Sequence, residues 1–296
     1  MNDLTGFKRG EPRNEVLPTS SFASRPLDGA FGIEISGIDL SERVTDRVAD
    51  DIRTNFARHR LLVIRDQHLE PDDLLRFCRL FGDIGSYPFA ESLPDHPGVV
   101  PIQSDGKAER NFGGIWHLDS PYFEIPPVAT ALFALEVPDF GGDTVFADLC
   151  AAYRALSFGM QRMLSGLRAV YTAQAVHGRE ASDVKLGTVR RVRNLETAER
   201  EVIRSIVDTH PVTHEPILSI SRFHLSRFEN MTEQESAPLL DYLASHAVHP
   251  LFTSRVRWRA GTVLLLDNRC VLHMGLNDYP GARRVLHRVV INPAKS

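Results

Sequence analysis

Two hydrophobic spacings alternate along the first third of the chain. "FGIEISGIDL" at 31–40 places apolar residues at every second position, the period of a half-buried strand. Over 45–60, Val48, Ile52 and Phe56 recur at helical spacing, and "LLVIRDQ" at 61–67 opens on an apolar run suited to a buried strand. "EPDDLLRFCRLFGDIG" at 70–85 carries Pro71 in its first turn, acids behind it, and apolar residues at Leu74, Leu75, Phe77, Cys78 and Phe81. That pattern predicts a helix closed by Gly82.

From about residue 98 the runs shorten. "GVVPIQS", "ATALFALEV", "DTVFADL", the run at 216–220, "SRVRWRA", "TVLLLDN" and "RVLHRVVI" read as strands separated by turn residues. Many short strands of this kind predict a barrel or sandwich. Helical patterns interrupt them at 149–167 and 232–248, the second opening on a capping box of Thr232 and Glu235. Residues 172–201 are polar, charged and weakly periodic, and predict a lid-like insert. The polar stretch 1–26 predicts a flexible arm, and 27–296 a single domain without internal repeats.

Composition narrows the class. A chain of 296 residues with 43% hydrophobic and 24% charged residues buries a sizeable core without disulfides. Cys78, Cys150 and Cys270 are too widely spaced for a CxxC site, and read as reduced, buried thiols. A net charge of -4 gives no pull toward nucleic acid or an anionic membrane. The start of the chain has no apolar signal core, and the apolar runs are too short to span a bilayer. The expectation is a cytoplasmic protein with a small-molecule partner.

The chemistry concentrates in "GGIWHLDSPYFEIPP", residues 113–127. On an extended segment, side chains two positions apart share a face, so His117 and Asp119 point into one space. Such a pair is also common as plain structure, so it needs a distant third ligand to mean more. His273, at the end of an apolar strand, is the candidate. Two histidines and one carboxylate leave three positions open on a cation, as in non-haem Fe(II) oxygenases. A zinc hydrolase with the same donors would typically show HExxH, which is absent. On the strand that follows, 284, 286 and 288 share a face, so Arg284 and Arg288 look into one cavity. Buried guanidinium groups imply anionic contents. Arg283 should point outward.

"WHLD" at 116–119, "GGDT" at 141–144, "LDNR" at 266–269, "LH" at 272–273 and "RRVLHR" at 283–288 together resemble the taurine dioxygenase family of Fe(II)/2-oxoglutarate-dependent oxygenases. The resemblance covers about 27–293, with the motifs agreeing in order and spacing. It implies a mainly β fold with flanking helices around a double-stranded β-helix, the cupin-like jelly-roll core. It further implies Fe(II) held by His117, Asp119 and His273, with 2-oxoglutarate and O2 as cosubstrates. Thr144 and Arg284 would hold the distal carboxylate of 2-oxoglutarate, and Arg288 would meet an anionic group of the substrate. The carboxylate ligand Asp119 favours oxygenation over halogenation. Relatives of this kind are often homo-oligomers, dimers or tetramers.

Taurine-specific members place a histidine and an asparagine in the substrate pocket where this chain has Tyr87 and Gly113. The difference argues against taurine and for another small anionic substrate. Phe223 matches an aromatic pocket wall, and Tyr122 borders the same space. A catalytically silent barrel that binds a small anion or a partner is the alternative, against which the intact ligand set argues. Other residues have plainer readings. His287 is out of phase with the two arginines and reads as packing. Asp267 and Asn268 fix a turn near His273. Trp116 is core beside the metal, and His210, His214 and His224 are surface or structural.

Overall fold

The computed structural model describes residues 21–104, 113–178 and 194–295. The expected arm, up to residue 20, and the central part of the expected lid lie outside these residues. The chain begins with β1 (Ala23–Pro26), β2 (Ile33–Ser36), α1 (Asp46–His59), β3 (Leu61–Ile64) and α2 (Pro71–Cys78). Next come β4 (Asp83–Ile84), β5 (Val99–Ser104), β6 (Ala129–Glu136) and β7 (Thr144–Asp148). Helices α3 (Leu149–Ala155) and α4 (Phe158–Leu164) lead into β8 (Arg168–Tyr171), α5 (Gln174–His177) and α6 (Leu195–Glu199). Then follow β9 (Val202–Ser205), β10 (Val207–Thr209), β11 (Pro216–Leu218), β12 (Leu225–Phe228) and α7 (Glu233–Ala247). The last strands are β13 (Thr253–Val256), β14 (Val263–Asp267), β15 (Val271–Gly275) and β16 (Arg284–Asn292).

A major sheet runs in the order β1-β2-β3-β14-β6-β16-β4, with β5 also paired to β16. A minor sheet runs β13-β7-β15. Together they form the jelly-roll core expected from the resemblance. The central strands of the major sheet are buried on both faces, which is why β3 and β14 read as nearly continuous apolar runs rather than alternations. Parity still sorts them. Leu61, Val63, Leu132, Ala134, Leu264, Leu266 and Leu286 enter one core, which they share with Phe146, Val256 and Leu272 of the minor sheet. Leu62, Ile64, Ala131, Phe133, Val263, Leu265, Val289 and Ile291 enter the other, under Ile52 and Phe56 of α1 and Leu74 and Phe77 of α2. Residues 284, 286 and 288 thus face the minor sheet together, as their spacing requires.

Four boundaries differ from the sequence reading. Residues 23–26, expected in the arm, pair antiparallel with β2. The helix expected to close at Gly82 ends at Cys78, and three further residues turn before Gly82. Gly82 is required there because a Cβ would overlap the Asn292 carbonyl oxygen. The single helix expected over 149–167 is two, because extended Ser157 caps α4 by accepting from Met160 N at 3.3 Å. Within the polar insert, α5 and α6 are short helices, so its ends have secondary structure of their own.

The capping box forms as expected. Thr232 Oγ1 accepts from Glu235 N at 3.2 Å, and Glu235 Oε2 accepts from Thr232 N at 2.8 Å. It starts a helix that buries Leu240 and Leu243 in the site-facing core. Thr232→Ala should therefore cost about 1 kcal/mol, read as a lower urea midpoint at unchanged m-value, with metal binding unaffected.

Candidate active site

The segment around His117 is not a full strand. Gly113 has φ 79° and Ser120 φ 54°, and between these breaks only His117 pairs, by an isolated antiparallel bridge to His273. That bridge suffices. His117 N donates to His273 O and His273 N to His117 O, each at 3.0 Å. In such a directly opposed pair both side chains leave the sheet on one side, and the two ring centroids are 4.2 Å apart. Gly275 N donates to Gly113 O at 2.9 Å and continues the register.

Donor atoms of His117, Asp119 and His273 lie within 4.8 Å of one another. His117 Nδ1 lies 2.7 Å from the Ile115 carbonyl and donates to it, which leaves Nε2 as the free donor atom. His273 Nδ1 is buried with no hydrogen-bond partner among the described residues. Burial holds both imidazoles in the neutral form a metal needs, pulling His273 down to about 3 and lowering His117. Burial pushes the Asp119 carboxyl up, but the Arg288 charge beside it, helped by the Thr130 hydroxyl, more than offsets this and holds it well below the usual range. Two neutral imidazoles and one carboxylate in this cluster fit a divalent cation such as Fe(II).

Arg284 and Arg288 come from β16 on the same face, 9% and 3% exposed. Their situations differ. Arg288 Nη2 pairs with Asp119 Oδ2 at 2.9 Å, its guanidinium lies 4.5 Å from the Tyr87 ring centroid, and its Nη1 is buried without a hydrogen-bond partner. The arginine expected to meet the substrate's anionic group is therefore also paired with Asp119. Arg284 has no carboxylate partner among the described residues, and its Nε is buried and unpaired. Its guanidinium lies 5.4 Å from the Trp258 ring centroid, and Trp258 Nε1 donates to Thr144 Oγ1 at 2.9 Å. Thr144, on the minor sheet, and Arg284, on the major one, thus meet around one tryptophan. This arrangement fits a carboxylate better than an empty core, because a lone buried guanidinium is costly. Arg283 is exposed and pairs with Glu136 at 3.3 Å, as its parity requires.

The pocket residues fall into place unevenly. Tyr87 lies under Arg288, and its hydroxyl is 3.2 Å from His177 Nε2. Tyr122 is 3% exposed and its ring lies 5.1 Å from that of His224. Gly113 is beside the metal cluster, where a Cβ would stand 3.3 Å from His117 Cε1. Phe223 is half-buried and meets His224 at 5.6 Å, one ring removed from Tyr122. Trp116 packs against the site-facing core, and His287 lies on the opposite face of β16.

Two histidines read as surface or structural are structural only. His210 is fully buried, accepts at Nδ1 from Val212 N and Thr213 N, and meets Asp267 Oδ2 from Nε2 at 3.0 Å. His224, 6% exposed, is held by Ser221 Oγ at 3.0 Å. His210, Asp267 and Cys270 form a second donor cluster. Both ring nitrogens of His210 are committed and Asp267 also pairs with Arg269, so this cluster is a structural network. Asp267 does fix its turn, accepting from Arg269 N at 3.0 Å. Asn268 instead donates to Thr130 Oγ1 at 3.0 Å, and Thr130 donates to Asp119 Oδ2 at 2.6 Å.

Sequence reasoning missed Thr130, Trp258 and His177. Thr130 had a signal, as a hydroxyl at a site-facing position of an apolar strand. Trp258 and His177 had none. A wide surface cleft of about 1830 Å³ lined by Phe31, Phe56, Arg60 and Phe252 contains no triad residue, so donor chemistry rather than volume locates this site.

Gly113→Ala tests the packing around His117. A positive φ and a close imidazole should cost about 1 kcal/mol of stability and weaken metal binding together, read by thermal melting and Mn(II) titration.

Residues 23–290 match the taurine catabolism dioxygenase TauD, TfdA family. An alpha-ketoglutarate-dependent 2,4-dichlorophenoxyacetate dioxygenase of Cupriavidus pinatubonensis is 32% identical, over 90% of this chain and 96% of that protein. An alpha-ketoglutarate-dependent sulfate ester dioxygenase of Pseudomonas putida is 29% identical, over 94% and 93%. The crystal structure of a taurine dioxygenase from Burkholderia xenovorans superposes with a TM-score of 0.77 at 28% identity, over 92% of this chain and 91% of that one. With the His-Asp-His cluster and the cupin-like core in place, the chain belongs to the TauD, TfdA family and is an Fe(II)- and 2-oxoglutarate-dependent dioxygenase.

Proposed function

We propose that the protein oxidises an unactivated C–H bond of a small anionic organic molecule other than taurine. Hydroxylation is the primary outcome. Where the hydroxylated carbon bears a heteroatom, the alcohol collapses and that bond breaks; desaturation is a further outcome of the same oxidation. The observation that carries the reading is the surplus of buried positive charge. Arg284 has a buried, unpartnered Nε and no ion pair among the described residues, and Arg288 shares one carboxylate while keeping an unpartnered Nη1. Fe(II) adds two charges and dianionic 2-oxoglutarate removes two, so a surplus remains for an anionic substrate to offset.

His117, Asp119 and His273 would hold the iron. Arg284, assisted by Thr144, would clamp the distal carboxylate of 2-oxoglutarate, a task suited to a planar fork rather than an ammonium. Fe(II), 2-oxoglutarate and O2 together supply the oxidising power, with release of succinate and CO2. The chain supplies position and dryness. Arg288 and Tyr87 would draw the substrate's anionic group to one side of the triad, while Tyr122 and Phe223 wall the cavity and exclude water. Gly113, beside His117, leaves room where taurine-specific relatives carry a side chain. The relatives' names support an anionic substrate, since sulfate esters and aryloxyacetates share one such group at one end.

Anaerobic Fe(II) with 2-oxoglutarate should give a weak visible charge-transfer band, absent from His117→Ala; no band in the unsubstituted protein would overturn the iron site. Succinate release with sulfate esters, aryloxy acids and alkyl sulfonates, set against taurine, should exceed the substrate-free rate for at least one anion and not for taurine.

Arg284→Ala should raise the 2-oxoglutarate requirement by about 10- to 100-fold, the worth of a charge-assisted hydrogen bond of about 1.5–3 kcal/mol, with Arg284→Lys a poor rescue. Saturating 2-oxoglutarate with Mn(II) should raise the melting temperature of the unsubstituted protein more than that of Arg284→Ala. An unchanged requirement would move the clamp elsewhere.

A further inference from the structure

The two oxygens of Asp119 have different surroundings. Oδ2 receives the Thr130 hydroxyl at 2.6 Å and Arg288 Nη2 at 2.9 Å. Oδ1 lies toward the imidazoles, 3.7 Å from His117 Nε2. Thr130 is fully buried near the start of β6, on the face turned to the site, and Asn268 is 5% exposed. A threonine hydroxyl has one proton. An ionised carboxylate only accepts, so that proton belongs to Asp119, and Thr130 must accept from its other neighbour. This sets the Asn268 amide with Nδ2 toward Thr130, at 3.0 Å. Asn268 is fixed in turn, since its N–H donates to Val128 O at 3.1 Å and it follows Asp267, which His210 and Arg269 hold.

We propose that Asn268 and Thr130 are positioning residues. They form a relay that, with Arg288, saturates Asp119 Oδ2 and turns Oδ1 to the histidines. The carboxylate then offers one donor atom to the cation. A carboxylate free to rotate would offer both, taking a coordination position that a chelating cosubstrate needs. Thr130 is short, rigid at χ1 and wholly buried, so it sets direction where the longer Arg288 supplies charge. The relay rests on the reading of the triad as the iron site.

Anaerobic Mn(II) titration followed by electron paramagnetic resonance tests it without turnover. Thr130→Val keeps the shape and removes the proton; its Mn(II) affinity should fall about 10- to 100-fold, as for other partners of metal ligands, while Thr130→Ser stays within about threefold of the unsubstituted protein. Asn268→Ala should weaken binding in the native background and add nothing to Thr130→Val. A folded Thr130→Val protein that binds Mn(II) as tightly as the unsubstituted one overturns the relay and leaves Thr130 a satisfied core hydroxyl. If Thr130→Val does not fold, Asn268→Ala decides: unchanged Mn(II) affinity overturns the proposal. An unsubstituted protein that takes up no Mn(II) would instead defeat the triad reading itself.

Discussion

The two reciprocal hydrogen bonds between His117 and His273 are the constraint on which the site depends. They join a loop that is otherwise almost without pairing to the edge of the minor sheet. Antiparallel geometry then does the rest, since directly opposed residues project their side chains to the same side. Two ligands far apart in sequence become neighbours through backbone atoms alone, and any side chains at these positions would meet. The third ligand follows from local sequence, because Asp119 lies two residues on and returns to the same side. A long strand at 115–119 is not needed, and the positive φ of Ser120 shows that none is built.

The second constraint is the double burial of the major sheet. Each central strand gives alternate residues to two cores, so a shift of one residue would exchange the faces of the whole strand. Register is therefore strongly specified by hydrophobic burial, and the charged residues inherit it. Arg284 and Arg288 are carried to the site because Val289 and Ile291 belong beneath the helices. The apolar residues of β16 hold two guanidinium groups where neither would go by its own preference for water.

This inheritance explains what the sequence made legible. The His117–Asp119 pair, the shared face of the arginines, the outward Arg283 and the capping box at Thr232 each follow from a period or a motif local to one element. A barrel or sandwich was readable because its strands are short, apolar and punctuated, while the jelly-roll itself followed from the family resemblance. What escaped depends on contacts between elements. The split between α3 and α4 turns on whether Ser157 caps or continues, and both choices suit its residue type. His210 looks like a loop histidine until its buried pairing with Asp267 is known. Arg288 shows its parity in the sequence but not its partner, because Asp119 reaches it from a different segment. Trp258 joins Thr144 to Arg284 across two sheets, and no local pattern announces that.

The placement of Arg284 bears on how stability and binding are linked. A guanidinium buried against an indole, with no carboxylate partner among the described residues, is destabilising on its own. Burial alone lowers its affinity for its proton, which expresses the same penalty. The fold tolerates this because the apolar residues around it are buried on both faces of the sheet. An anion that pairs with Arg284 removes a cost already present in the unliganded protein, as well as adding a contact. Binding of such an anion would therefore stabilise the sheet–sheet contact at Thr144 and Trp258. Arg288 differs because Asp119 already offsets it, so an anion reaching it would find a shared rather than an unpaired charge. An anion at Arg284 thus relieves a larger penalty than one at Arg288.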